Sequence, residues 1–223
     1  MFAYLTREDA TYEWGLRSAL FSALGRNDPG KGLALAASIK DVRIRFHAFQ
    51  SVVMAISQED PARAVQLASE QIGTTNLYLY KNMFETWADK APEEARQAAL
   101  AMEEGQVRTQ ALNGALSPWM REDPVGALRW LDALPKTSSV YDSREDLLRA
   151  LVNEDIDKAR DFISSVSDPL GRRVIVGNLY LGNYAEWEDF DSMVEVYHWL
   201  GEVSTGQVYD RKISDLMRAM GKM

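Results

Sequence analysis

Asp60-Pro61-Ala62-Arg63-Ala64, Asp123-Pro124-Val125-Gly126-Ala127 and Asp155-Ile156-Asp157-Lys158-Ala159 are three copies of one short phrase. Asp28-Pro29-Gly30-Lys31-Gly32 and Ala91-Pro92-Glu93-Glu94-Ala95 are two more, and successive copies stand 32, 31, 32 and 32 residues apart. A fixed period of this size is the mark of a repeat architecture. The phrase also has a direct physical sense. Asp at an N-cap accepts backbone N–H bonds, and proline at the first helical position has no N–H to waste and a φ already set. Each copy therefore predicts the start of a helix, the B helix of its repeat. Three residues past the proline position comes a small residue, Gly32, Ala64, Ala95, Ala127 or Ala159. Six residues past it come Leu35, Leu67, Ala98, Trp130 and Phe162. The small residue is expected to let a neighbouring helix approach, and the sixth position to fill the space between layers.

Backwards from each phrase runs a longer helix, the A helix. Positions 5, 8 and 9 before the proline position are apolar in all five copies. They read Leu24, Phe21, Leu20; Ile56, Val53, Val52; Trp87, Phe84, Met83; Trp119, Leu116, Ala115; and Leu151, Leu148, Leu147. Spacings of three and four place these residues on one helical face. The columns between them are mostly polar. Each unit is thus a helix–turn–helix of about 32 residues with one buried stripe per helix. A sixth, degraded unit is expected to place its A helix within 172–184 and its B helix at roughly 188–200, and an amphipathic segment over 209–220 to close the end. The repeats run approximately over 7–40, 41–73, 74–105, 106–139, 140–167 and 168–203, with a capping helix at 207–221. Degenerate end units fit a repeat array, whose last member needs only one sticky face. The first helix is expected to begin at a capping box near Thr6-Arg7-Glu8-Asp9. No domain boundary and no period-two strand pattern is visible, and Lys136-Thr137-Ser138-Ser139-Val140 reads as an inter-repeat loop. The expected fold is one all-α domain over 1–223, a right-handed α-α superhelix of about six helix pairs.

Composition narrows the function. The 33 acidic against 25 basic residues give a net charge of −8, and no basic stripe is present to neutralise phosphates. Nucleic acid and anionic membrane are accordingly not expected as partners. The absence of cysteine excludes disulfides, thiolate catalysis and cysteine-bound metal. The N-terminus lacks the basic and apolar regions of a signal peptide, and no stretch is apolar enough to span a bilayer, so a cytoplasmic location is expected.

On these residues the chain resembles the tetratricopeptide-like superfamily of helical hairpin repeats. It looks most like the divergent bacterial repeats with an Asp-Pro-x-x-Ala signature, here at Ala64, Ala95, Ala127 and Ala159. It departs from the strict tetratricopeptide pattern in a shorter unit, in lacking the glycine midway along helix A, and in a proline that opens helix B. The resemblance implies a scaffold or peptide receptor whose A helices line a concave groove.

Residues able to carry chemistry are few. His47 and His198 lie far apart in sequence with no ligand partner at metal spacing; His47 is expected to face solvent or groove, and His198 to pack. The pairs Glu103-Glu104, Glu145-Asp146 and Glu188-Asp189 read as solvated faces, since adjacent carboxylates on a helix point apart. Gly30-Lys31-Gly32 lacks the strand and flanking glycines of a phosphate loop. Neither a catalytic group nor a metal or cofactor site is therefore expected. Trp87, Trp119 and Trp130 fall in core columns. Arg45, Arg108, Arg144, Arg173 and Arg211 fall near A-helix starts, where a cation can reach the last carbonyls of the preceding B helix.

The polar columns of the A helices carry His47, Gln50, Ser51 and Met54; Tyr78, Lys81, Asn82 and Glu85; Gln110, Asn113, Gly114 and Ser117; and Asp142, Glu145, Asp146 and Arg149. Of these, His47, Gln50, Tyr78, Lys81, Asn82, Gln110 and Asn113 form the candidate partner-binding set. Asn82 and Asn113, one column apart on neighbouring repeats, are suited to hold a peptide main chain. The expected function is a non-enzymatic scaffold that binds a protein or peptide. A ligand-responsive sensor is the alternative, and an all-helical enzyme domain a third class. Tyr180, Tyr184 and Trp187 in the sixth unit fit either a dimer contact or cap packing.

Overall fold

The computed structural model describes residues 14–166, 172, 175–177 and 190–220. Among the described residues there is no strand, and besides the helical residues 172 and 175–177 twelve helices have defined bounds. They are α1 (Trp14–Asn27), α2 (Pro29–Ala37), α3 (Val42–Ile56), α4 (Pro61–Gln71), α5 (Leu77–Ala88), α6 (Pro92–Ala101), α7 (Gln106–Glu122), α8 (Pro124–Ala133), α9 (Ser138–Glu154), α10 (Ile156–Ser165), α11 (Phe190–Val203) and α12 (Gln207–Met220). Every Asp-Pro-like phrase opens a helix. The Asp28, Asp60, Asp123 and Asp155 carboxylates accept from the backbone N–H of Lys31, Arg63, Gly126 and Lys158 at 3.0, 3.0, 2.9 and 3.0 Å. Ala91 offers no side-chain cap, and there Pro92 is followed by Glu93 and Glu94, whose charges favour a helix start. Two A helices carry caps that the period does not announce, with Asp41 accepting from Ile44 N at 2.9 Å and Asn76 from Leu79 N at 3.3 Å.

These caps have an acid dependence. The backbone N–H of Ile44 holds the Asp41 carboxyl below its ordinary value of 3.8, and that of Lys158 does the same for Asp155. A depressed folded value stabilises fully above the unfolded pKa, and that contribution is lost as pH falls through the folded one. The window thus opens below about pH 5 and extends under the ordinary Asp value. Asparagine caps a helix without titrating. Asp155→Asn should therefore lose less melting temperature than wild type between neutral pH and pH about 3; equal losses would show that this cap does not titrate.

The chain divides into two compact units, 1–118 and 119–223. In the first, α1 packs on α2 and α3, α3 on α4 and α5, and α5 on α6. In the second, α8 packs on α9 and α10, α9 on α10, α10 on α11, and α11 on α12. Within each unit these helices meet their hairpin partners, and α1 with α3, α3 with α5 and α8 with α10 also meet the equivalent helix of the next hairpin. The A-helix stripe is buried where the sequence places it: Phe21, Val52, Val53, Met83, Phe84, Leu116 and Leu148 are at most 1% exposed. Leu20, Leu24 and Trp119 of the same columns are half-buried.

The B helices differ from expectation in which face they bury. The sixth position is only half-buried at Leu35, Leu67, Ala98 and Trp130, although Phe162 is buried. The buried pair is the third position and the seventh: Gly32 with Ala36, Ala64 with Ala68, Ala95 with Ala99, Ala127 with Leu131, and Ala159 with Ile163. Residues four apart share a face, and small ones bring the helix axes close.

Two glycines mark close approaches between A helices. A Cβ on Gly25 would lie 2.7 Å from both the Ala55 Cβ and the Val52 carbonyl oxygen, so the α1 backbone rests against backbone and side chain of α3. A Cβ on Gly114 would lie 2.2 Å from the Lys81 carbonyl oxygen, so α7 rests directly on the α5 backbone. Bonds one repeat apart tie neighbouring hairpins. The Lys90 ammonium donates to the Gln58 carbonyl, and the Ser117 hydroxyl to Glu85 at 2.9 Å.

The capping box at 6–9, most of the sixth A helix, Arg173, Tyr180, Tyr184, Trp187 and the Glu188-Asp189 pair lie outside the described residues. α11 and α12 lie close to the last two predicted segments. The expected loop at 136–140 is shorter, because α9 already begins at Ser138.

Candidate functional site

The candidate set divides by burial. On α3, His47 is exposed and Gln50 half-buried; on α5, Tyr78 and Asn82 are exposed and Lys81 half-buried; on α7, Gln110 is half-buried. Asn113 departs from this face, at 4% exposed. Its neighbour Gly114 brings α7 so near α5 that the two-residue stretch lies under the contact rather than in water. Asn82 and Asn113 thus do not share one open surface, and the pairing expected of them is corrected.

Tyr78 is a large side chain standing well into solvent, at 73% exposed. Its helix begins one residue earlier, where the Asn76 side chain caps it, and the opposite face buries Leu79, Tyr80, Met83 and Phe84. The phenol is therefore presented from a backbone fixed by a cap and a packed face. His47 has aromatic neighbours: its ring meets Trp14 edge-on at 4.8 Å and Phe46 at 5.6 Å. Lys81 supplies the cation of the α5 face, and its carbonyl is the one that α7 approaches.

The remaining charged groups are largely engaged in holding the fold. The Arg45 guanidinium donates to the Ile39 carbonyl at 2.7 Å and the Arg108 guanidinium to the Met102 carbonyl at 3.4 Å. Both carbonyls lie just past the end of a B helix, as the arginine column predicts. Arg144 does something else. It is buried, meets Asp132 at 3.1 Å and Glu145 at 3.3 Å, and lies over the Tyr141 ring. Burial raises the Asp132 carboxyl, and the hydrogen bonds and charges of Lys136 and Arg144 outweigh it and hold it low. Glu145 and Asp146 are thus half-buried and ion-paired, where a solvated face was expected. Arg211 is exposed on α12. His198 is exposed beside the Tyr197 ring, where packing was expected.

Trp87 is buried against Phe84 with ring centres 5.6 Å apart. Trp119 and Trp130, expected in the core, are half-buried against each other at 6.3 Å. Among the described residues no group of three or more His, Asp or Glu side chains could hold a metal ion, and no helix is long and apolar enough to cross a membrane.

No family model, curated protein or solved structure matches this chain.

Three consecutive A helices, α3, α5 and α7, present polar side chains on a surface whose reverse is packed. Amide, phenol, imidazole and ammonium groups together can donate to and accept from a peptide backbone and bind a carboxylate. Sequence reading missed the Trp14 ring against His47, because Trp14 falls one position off the histidine's column.

Proposed function

We propose that the helix pairs stack as a right-handed solenoid of the tetratricopeptide-like kind and that the chain is a non-enzymatic scaffold. Its partner is a protein or peptide lying across α3, α5 and α7 on a concave face. The observation that carries this reading is the exposed Tyr78, with Asn82 and the half-buried Lys81 on the same helix, above a fully packed reverse face. A rigid, exposed tyrosine is a frequent anchor of protein interfaces, since its ring gives contact area at low entropic cost and its hydroxyl stays paired. The repeated period and the Asp-Pro-x-x-Ala resemblance support the superhelix, and the acidic balance supports a protein partner over nucleic acid.

The test is the simultaneous change of Tyr78, Lys81 and Asn82 to alanine. None of the three side chains is buried, so helicity and melting temperature should stay nearly unchanged. Partner capture from lysate of the source organism, with nuclease present, should be lost. Retained capture by the triple variant, or parallel loss of fold and capture, would contradict the reading.

A further inference from the structure

A cleft of about 430 Å³ opens on the turn side of the first unit, where the end of α4, the 72–76 turn, the end of α6 and the start of α7 meet. It is separate from the exposed set on α5. Its apolar lining comes from Tyr80, Met102 and Val107, and Glu103, Glu104 and Gly105 stand along it. The walls are held in place by hydrogen bonds. The Tyr80 hydroxyl donates to the Gly73 carbonyl at 3.0 Å. Gly73 has φ +57 and closes α4 by donating its N–H to the Ala68 carbonyl at 2.9 Å. That left-handed turn is the form of helix ending that suits glycine.

The charge at this cleft has a sign. The ends of α4 and α6 each bring about half a negative charge, and the start of α7 about half a positive one. Glu104 is neutralised by Arg108 at 2.6 Å. Glu103 is exposed and has no ion pair among the described residues, so its full charge remains. The sum is negative, on a chain whose net charge is already −8.

We propose that this cleft takes a lysine or arginine side chain presented by a partner peptide. The aliphatic stem lies on Met102 and Val107, over the hydrogen-bonded Tyr80 at the cleft floor, and the cationic head reaches Glu103 and the helix ends. Long basic side chains pack in this way, with the stem on apolar surface and the charge at its edge. The site rests on its own lining and charge, so it stands or falls independently of the Tyr78 face.

The experiment is a titration of the isotope-labelled full chain, followed by the amide signals of Gly73 and Gly105. The probes are a capped Ala-Leu-Arg-Leu-Ala peptide and the same peptide with citrulline for arginine, which keeps the shape and removes the charge. The arginine peptide should move both amide signals saturably, and the citrulline peptide should bind about tenfold more weakly. Glu103→Lys, at an exposed position, should weaken the arginine peptide by about tenfold or more. The triple alanine change at Tyr78, Lys81 and Asn82 should leave cleft binding intact, which separates this site from the proposed groove. Silent Gly73 and Gly105 signals at millimolar peptide, equal binding of the citrulline peptide, or full affinity in Glu103→Lys would each overturn the proposal.

Discussion

Gly114→Ala lowers folding stability by about 3 kcal/mol, a cost at the upper end of what overpacking a close contact brings. The added Cβ would stand 2.2 Å from the Lys81 carbonyl oxygen, 3.0 Å from its carbonyl carbon and 3.0 Å from the Phe84 Cβ. Two of these three atoms are backbone of α5, which cannot rotate aside as a side chain can. To admit the methyl group, α7 must withdraw from α5 along the contact. That movement also pulls on the Ser117–Glu85 hydrogen bond at 2.9 Å. Gly30→Ala is the matching control. Its Cβ would meet only the Asp28 carboxylate at 3.9 Å, and the position is in the first turn of α2. There the exchange should stabilise by up to about 1 kcal/mol through helix propensity. Denaturant titration of both variants checks the contrast, and a mild Gly114→Ala would show that α7 and α5 are not in contact at this point.

Trp87→Ala costs about 3–5 kcal/mol, while Trp119→Ala costs about half as much because less of its ring leaves water on folding. The two occupy the same column of neighbouring repeats. Trp87 is 9% exposed and lies beside Phe84, itself fully buried, at an interplanar angle of 33°. Trp119 is half-buried and meets the half-buried Trp130 at 53°. Removing Trp87 leaves a cavity bounded by packed side chains, whereas solvent can occupy part of the space left by Trp119. Paired denaturation midpoints measure the difference. Equal costs would mean that column position alone, and not the observed burial, governs the contribution.

Much of the fold was legible because its signals are local. Asp before Pro specifies a helix start by hydrogen bonding and φ alone, and all the phrases from Asp28 to Asp155 open helices. The A-helix stripe was legible for a similar reason, since large apolar residues three and four apart have few other places to go. The B-helix face was misread because size was taken as the sign of burial. Ala36, Ala68 and Ala99 are fully buried and Leu35 and Leu67 are not, since what the neighbouring helix requires there is closeness. Exposure was legible at His47, Tyr78 and Asn82, polar residues that stand in water. It was not legible at Asn113, whose burial depends on the contact between Gly114 and the Lys81 carbonyl. A polar residue next to a glycine does not reveal in sequence that the backbone there is covered. The two arginines at Arg45 and Arg108 were readable as helix-end ligands, while Arg144 was redirected by Asp132, twelve residues away on the preceding hairpin.

The measurement that tests the scaffold reading most directly is site-specific photo-crosslinking in lysate of the source organism. A photoreactive phenylalanine analogue is placed at Tyr78, exposed on an A helix, and in a parallel chain at Gln66, exposed on the B helix α4. The account predicts a discrete protein adduct from position 78 that a Lys81/Asn82 double alanine change removes, and none from position 66. Adducts from position 66 alone, or the same adducts from both positions, would place the partner elsewhere and contradict the account.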